Sequence, residues 1–362
     1  MRRKSFAAIA FAASWLPAAL CASGPVSAET SSWFQTAPPK TGGAAKAAKP
    51  SANRKPAPKG ATGRLAHGAD APPAAGTGSG NSQAYIAFDQ GRYLTALKLA
   101  ETAAAKGDPA AHTLIGRIYG EGFGVPQDEA AAVKWYTRGA ELGDVNAMFA
   151  LGLIAAEGRG VEKDRTAAAE MFEQAARKGH PEANYNLGLL FLKGDGKPQN
   201  PHRAAQHIKY AAEQGLAAAQ YDLGALYQKG VGVEPDAYEA SRWISLAAEQ
   251  GLPAAQYDYS IMLLQGNGLK KDVHKALRYM HQAADSGIAG AQNRLAYIYA
   301  EGLGVVASPV EMAKWRLVAK AGGLPDPAMD EKISALPQDQ RLAAEKAAVE
   351  WQERRQVNPL EP

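Results

Sequence analysis

Seven histidines and one cysteine are the side chains of this chain best suited to bind a metal or act as a nucleophile. Their spacing does not gather them. No His-Glu-x-x-His occurs, and the nearest histidines, His202 and His207, stand five apart rather than the four that would place both on one helical face. Cys21 is the only thiol, and it falls in the first 28 residues. The doublets Gly122/Gly124, Gly158/Gly160, Gly194/Gly196, Gly230/Gly232, Gly266/Gly268 and Gly302/Gly304 could suggest a phosphate cradle. Such a cradle needs a preceding strand and a third glycine. Here each doublet follows a helical stretch and the pattern recurs six times, so the doublets read as turns. No catalytic set, metal set or cofactor site emerges, and the sequence predicts a non-enzymatic protein.

The elements that carry these residues repeat with a period of 36, marked by Ala111, Ala147, Ala183, Ala219, Ala255 and Ala291. Gly116, Gly152, Gly188 and Gly224 keep the same phase, with Ser260 and Ala296 in the last two copies, and so do Gly143, Gly179, Gly215, Gly251, Gly287 and Gly323. A fixed period of this size implies a solenoid whose units bury their apolar faces only against one another. In the fourth copy Ala219, Leu223, Leu226 and Tyr227 form one apolar stripe at helical spacing. Gly224 lies inside it, where glycine costs ~1 kcal/mol relative to alanine, which implies close approach of a second helix. Gly230 and Gly232 end the first helix. Asp236 begins the second, at a position filled in the other copies by Asp128, Asp164, Asn200, Asp272 and Ser308, all capping types. His207 stands in the aromatic column of the second helices, with Trp135, Met171, Trp243, Tyr279 and Trp315, and so reads as a packed residue rather than a ligand.

The string from Ala219 to Val233, with its Leu223-Gly224, Tyr227, Gly230 and Gly232, then Asp236 and Ala-Ala-Glu-Gln-Gly at 247–251, resembles the Sel1-like repeat, a longer-looped relative of the tetratricopeptide repeat. The resemblance covers 111–323 and implies an all-α, right-handed α/α superhelical solenoid of helix-turn-helix repeats. Residues 83–110 resemble one tetratricopeptide-type helix pair that caps the amino end. Residues 324–362 carry a carboxy-terminal capping helix, expected within 338–355, and a tail. Some Sel1-like repeat proteins have been assigned penicillin-binding or β-lactam-hydrolysing activity, but those are cysteine-rich and this repeat region has no cysteine.

In the related tetratricopeptide geometry the first helices line a concave groove. Carried onto this chain, the groove-facing column is Thr113, Phe149, Tyr185, Tyr221, Tyr257 and Asn293. One turn further on, Lys193 and Lys229 stand between Glu121, Glu157 and Glu301, so the groove is expected to change sign along its length. Rigid aromatic contact surface with mixed charge would suit an extended or helical peptide. Two roles are open to the column: a ligand surface, or packing of helix on helix. The ligand role predicts that replacing Tyr185 and Tyr221 by alanine abolishes partner capture without lowering the melting temperature. Asp222 and Asp258 are expected to bond to a neighbouring loop.

Residues 1–28 read as a secretory signal, with Arg2, Arg3 and Lys4 ahead of the apolar stretch from Phe6 to Leu20 and a small-residue cleavage site at Val26-Ser27-Ala28. That stretch is shorter than the ~20 residues a spanning helix needs, so no transmembrane segment is expected after cleavage. Segment 29–82, rich in Ala, Pro, Gly and Lys, reads as a disordered basic linker. The whole-chain charge of +4 resolves into three basic residues in the signal, a surplus of five in the linker and a net −4 over 83–362. A mildly acidic body without a base-reading motif argues against nucleic acid as a partner. The resemblance implies an exported, periplasmic adaptor or regulator that binds a protein or peptide, such as a membrane sensor or an envelope protein. The alternative is a cell-wall module that docks on peptidoglycan or anionic polymer through 29–82. A secreted, host-directed factor would share the same signal.

Overall fold

The computed structural model describes the backbone of residues 79–357 and the side chains of 83–355. The signal segment and the linker up to residue 78 lie outside the described residues. Helix α1 (Ser79–Asp89) starts within the stretch read as linker and pairs with α2 (Tyr93–Ala104). Six first helices follow: α3 (Pro109–Glu121), α5 (Val145–Glu157), α7 (Pro181–Lys193), α9 (Ala217–Lys229), α11 (Pro253–Gln265) and α13 (Ala289–Glu301). They alternate with six second helices: α4 (Glu129–Glu141), α6 (Arg165–Arg177), α8 (Pro201–Glu213), α10 (Ala237–Glu249), α12 (Val273–Asp285) and α14 (Pro309–Ala321). A short α15 (Pro327–Ser334) and a long α16 (Gln338–Val357) close the chain, and no strand occurs among the described residues. Each repeat helix packs chiefly on the helices before and after it, as an all-α solenoid requires, except that α14 passes over α15 to pack on α16.

Thirteen residues span only about 20 Å, and helices that short are marginal alone, so caps and packing decide their stability. Every second helix begins on a side chain that accepts from its first-turn amides: Asp128, Asp164, Asn200, Asp236, Asp272 and Ser308. These are the capping residues expected from the sequence. The first helices divide differently. Asp108, Asp144 and His180 cap the first three, whereas Leu216, Leu252 and Ile288 offer no side-chain cap to the last three.

The glycine inside the first helix earns its place sterically. A Cβ on Gly224 would lie 2.5 Å from Ile244 Cγ1 and 3.0 Å from the Ala240 carbonyl, so only glycine lets α9 and α10 meet at this separation. Ile244 is fully buried in that contact, a burial that contributes about 2 kcal/mol. Gly232 serves a different joint. Its φ is +72°, and a Cβ there would collide with the Pro201 carbonyl at the start of α8 in the previous repeat. The second glycine of the doublet therefore seats each loop on the repeat before it.

A column of buried amides fastens the last four turns between repeats. The Nε2 groups of Gln220, Gln256 and Gln292 donate to the carbonyls of Ala212, Ala248 and Ala284 at 3.2, 3.4 and 3.0 Å. Asn184 does the same to Ala176 at 3.3 Å. Each amide occupies one of the helix-end carbonyls that lack an intrahelical partner.

At the carboxyl end α16 lays Ala344, Ala348 and Trp351 into the core of the last repeats, with Trp351 edge-on to Trp315 at 5.9 Å and its indole N–H donating to Asp285 at 3.0 Å. Helix α15 is held by Arg316, a fully buried residue. Its Nε donates to Asp330 at 2.7 Å, and its Nη1 donates to Leu324 O and Asn293 Oδ1 at 2.8 and 3.2 Å.

Candidate functional site

The column on the first helices is a chain of links between repeats. Tyr185 on α7 donates its hydroxyl to Asp222 Oδ2 on α9 at 2.6 Å, and Tyr221 on α9 donates to Asp258 Oδ2 on α11 at 2.8 Å. Thr113 donates to Asp144, the cap of α5, at 2.7 Å. Phe149 stacks on His180, the cap of α7, at 4.5 Å. Asn293 donates to Asp326, the cap of α15, at 2.8 Å. Every one of these side chains reaches the next repeat, and Asp222 and Asp258 meet tyrosines rather than the loop expected from the sequence. The pairing was hidden because partners sit 37 residues apart, one period plus one position.

Exposure then sorts the column. Tyr185 is 1% exposed and cannot offer its ring to a ligand in this conformation, which corrects its place in the expected contact surface. Thr113 is buried as well. Phe149, Tyr221 and Tyr257 are half-buried and keep part of each ring open. Tyr257 lies over Gly290, where a Cβ would come within 3.2 Å of its phenol. Among the expected cations, Lys193 and Lys229 are exposed at the ends of α7 and α9. The acidic flank differs from expectation. Arg159 lies 2.8 Å from Glu157, 3.8 Å from Glu121 and 3.7 Å from Glu129, so the two groove glutamates of the early repeats are already partnered.

Burial also sets the charge of the aspartates. Asp222 is 4% exposed, and loss of water pushes its carboxyl from the ordinary 3.8 up to about 7, with the Tyr185 hydroxyl pulling the other way. Burial raises Asp258 too, offset by Tyr221 and by the charge of Lys229. The tyrosine hydroxyls of 185 and 257 are raised above the phenolic range by the same desolvation.

His207 is half-buried, stacked on Phe191 at 5.8 Å with Nδ1 3.0 Å from Asn184 Oδ1, the packed role expected of it. No group of three or more potential metal ligands is found among the described residues. No helix among them is long and apolar enough to cross a membrane.

Comparison with known families matches the model described as Sel1 repeat to residues 109–144, 145–180, 181–216, 217–252, 253–288 and 289–313. Among solved structures, a Sel1 repeat protein from Oxalobacter formigenes is 31% identical, over 67% of this chain and 99% of that one, with a TM-score of 0.60. A protective antigen of uropathogenic Escherichia coli displaying an SLR fold is 24% identical over 74% of this chain and 75% of that one, with a TM-score of 0.35. An immunity protein from Pseudomonas aeruginosa is 20% identical over 56% of this chain and 81% of its own, with a TM-score of 0.38. Comparison with curated proteins gives no match.

Proposed function

This chain belongs to the Sel1 repeat family, whose repeats generally mediate protein–protein interaction, and from that footing we propose that it is an exported, non-enzymatic scaffold acting in envelope signalling or assembly. Its partner is a protein or peptide held along the concave face of the first helices, in the periplasm.

The supporting observation is the half-buried trio of Phe149, Tyr221 and Tyr257. Two of the three are fixed from behind by inter-repeat contacts, Tyr221 by Asp258 and Phe149 by His180. Rings fixed in this way lose little entropy on binding, which is how aromatic anchors gain affinity. Lys193 and Lys229 add exposed positive charge beside them, suited to an acidic stretch of the partner.

The test is a crosslinking pull-down from the native envelope fraction with the full mature chain, residues 79–362 so that α1 is kept whole, and a Lys193→Glu/Lys229→Glu variant. The reading expects the first two to capture the same protein, the charge reversal to lose it, and all three to melt alike. If only the full chain sediments, with cell wall and in a manner that salt dissolves, the basic linker carries the function and the scaffold reading fails.

A further inference from the structure

Among the described residues the two most exposed large apolar side chains, Val306 at 88% and Tyr238 at 65%, stand on the same edge of the solenoid. Leu303, also exposed, shares the loop of Val306 between α13 and α14. A single apolar residue on a surface is ordinary, so what stands between these decides whether they act together.

The edge is built by the second glycine of each doublet. Gly268 seats the loop 266–272 on the start of α10, where a Cβ would meet the Ala237 carbonyl and the Tyr238 amide. Gly304 seats the loop 302–308 on the start of α12, where a Cβ would meet Val273. Tyr238, the fifth loop and the sixth loop therefore follow one another along this edge. Between the apolar residues stand Lys270 and Lys271, both exposed, with His274 exposed beside them. The adjoining carboxylate, Asp272, accepts from the Lys275 amide of its own helix at 2.9 Å. On the flanking helices Glu239 is paired with Arg242 at 2.7 Å and Glu311 with Lys314 at 3.0 Å.

The 36-residue pattern does not demand these side chains. The loop column that ends in Val306 reads Pro126, Glu162, Pro198, Glu234 and Lys270 in the earlier copies. The column of Tyr238 holds Ala130, Thr166, His202, His274 and Val310 in the others. Of the six doublet loops, the fifth alone carries two adjacent lysines.

We propose that this edge docks the solenoid on an anionic phospholipid surface. Val306 and Leu303 enter the boundary of the acyl chains, Tyr238 lies at headgroup depth, and Lys270 and Lys271 meet the phosphates. Separate apolar tips interleaved with lysines suit a fluid interface, which takes in each tip without a matching pocket. Lysine stems can follow the tips inward while their ammonium groups stay among the headgroups. Charge also sets the orientation. Residues 83–362 carry a net −4, so an anionic surface repels the body and attracts this edge. The contact is one of lying on the membrane, since no helix among the described residues is long and apolar enough to cross it. The aromatic column of the first helices takes no part in it.

A label at the tip itself tests the assignment. Val306→Cys in the chain from residue 29, which has no other thiol, carries an environment-sensitive nitrobenzoxadiazole group. Vesicles of phosphatidylcholine mixed with phosphatidylglycerol should shift its emission to the blue, and vesicles of phosphatidylcholine alone should not. The same label at Val161→Cys, the exposed valine of the second loop, controls for capture by the basic linker and should remain in water. Lys270→Glu/Lys271→Glu should raise the lipid concentration at half-maximal shift at least about 25-fold, from about fivefold per lysine. Melting should not change, because both lysines are exposed. The proposal is overturned if the label at position 306 stays in water with the anionic vesicles, or if the charge reversal leaves the titration unchanged. It is equally overturned if phosphatidylcholine alone, or the label at position 161, gives the same shift. A blue shift that grows with protein concentration before lipid is added would assign the edge to a second copy of the chain and overturn it as well.

Discussion

Replacing Asp222 by asparagine should change how stability responds to pH, with a sign opposite to that of ordinary acid denaturation. Asp222 is buried at 4% exposure, and its carboxyl rises on folding from 3.8 to about 7. The folded state therefore holds that proton more tightly than the unfolded chain. The contribution is fully present below the unfolded value and is lost as pH climbs through about 7. Integrating between the two values gives a loss of roughly 3 kcal/mol between about pH 5 and pH 8. Asparagine has no charge to lose. Its oxygen can still accept the Tyr185 hydroxyl, while its amide brings a donor the site was not built for, costing about 1 kcal/mol. The variant should thus be slightly less stable than the parent near pH 4 and more stable from about pH 5 upward, with the advantage growing toward pH 8. At about 2 °C per kcal/mol, the difference in melting temperature should swing by roughly 6 °C over that range. Far-ultraviolet circular dichroism melts of both proteins at matched pH values measure it directly. The subtraction removes other titrating groups, such as Asp326 and Asp330, whose lowered pKa values act in the opposite sense. A difference between the two proteins that stays constant with pH would refute the assignment of a raised Asp222.

Two further outcomes follow from the packing. Tyr185→Ala should lose about 3 kcal/mol of stability, read as a fall in the denaturant midpoint, because the ring is fully buried and its removal leaves a cavity beside an unpartnered carboxyl; an unchanged midpoint would return Tyr185 to the contact surface. Gly232→Ala should cost at least about 2 kcal/mol, combining a left-handed backbone with a collision against the Pro201 carbonyl, whereas Gly251→Ala meets no neighbouring atom and should cost only its backbone strain; equal melting of the two variants would show that the loop is not seated on α8.

What the sequence disclosed and what it concealed divide along a physical line. Helix starts, stops and the close-approach glycines were legible because each is a local requirement: Asp236 must cap its own helix, and Gly224 must clear the helix that follows it. Contacts across the superhelical stagger were not. Tyr185 and Asp222 belong to neighbouring repeats with an offset of one residue beyond the period, set by the rotation between units and visible only in three dimensions. Arg159 conceals itself similarly, sitting in a loop yet gathering Glu121, Glu129 and Glu157 from three different elements. Arg316 lies inside the last repeat helix, but its partners Leu324 and Asp330 and the short α15 lie past the last regular turn, where periodicity no longer informs. The aromatic column itself was legible, and its split into buried Tyr185 and half-open Phe149, Tyr221 and Tyr257 was not, because every member shares the same local pattern.

The tyrosine–aspartate links also bear on how such an array can be inherited. A hydroxyl in one unit and a carboxyl in the next form a joint that belongs to neither copy alone. Duplicating the fourth unit in place would set the original Tyr221 against the second Asp222, and the second Tyr221 against Asp258, and preserve the joint. Moving that unit behind the first would bring Asp222 against Thr113, whose hydroxyl already serves Asp144, and would strand a buried carboxyl without its donor. Duplication in place therefore keeps the joint where shuffling breaks it.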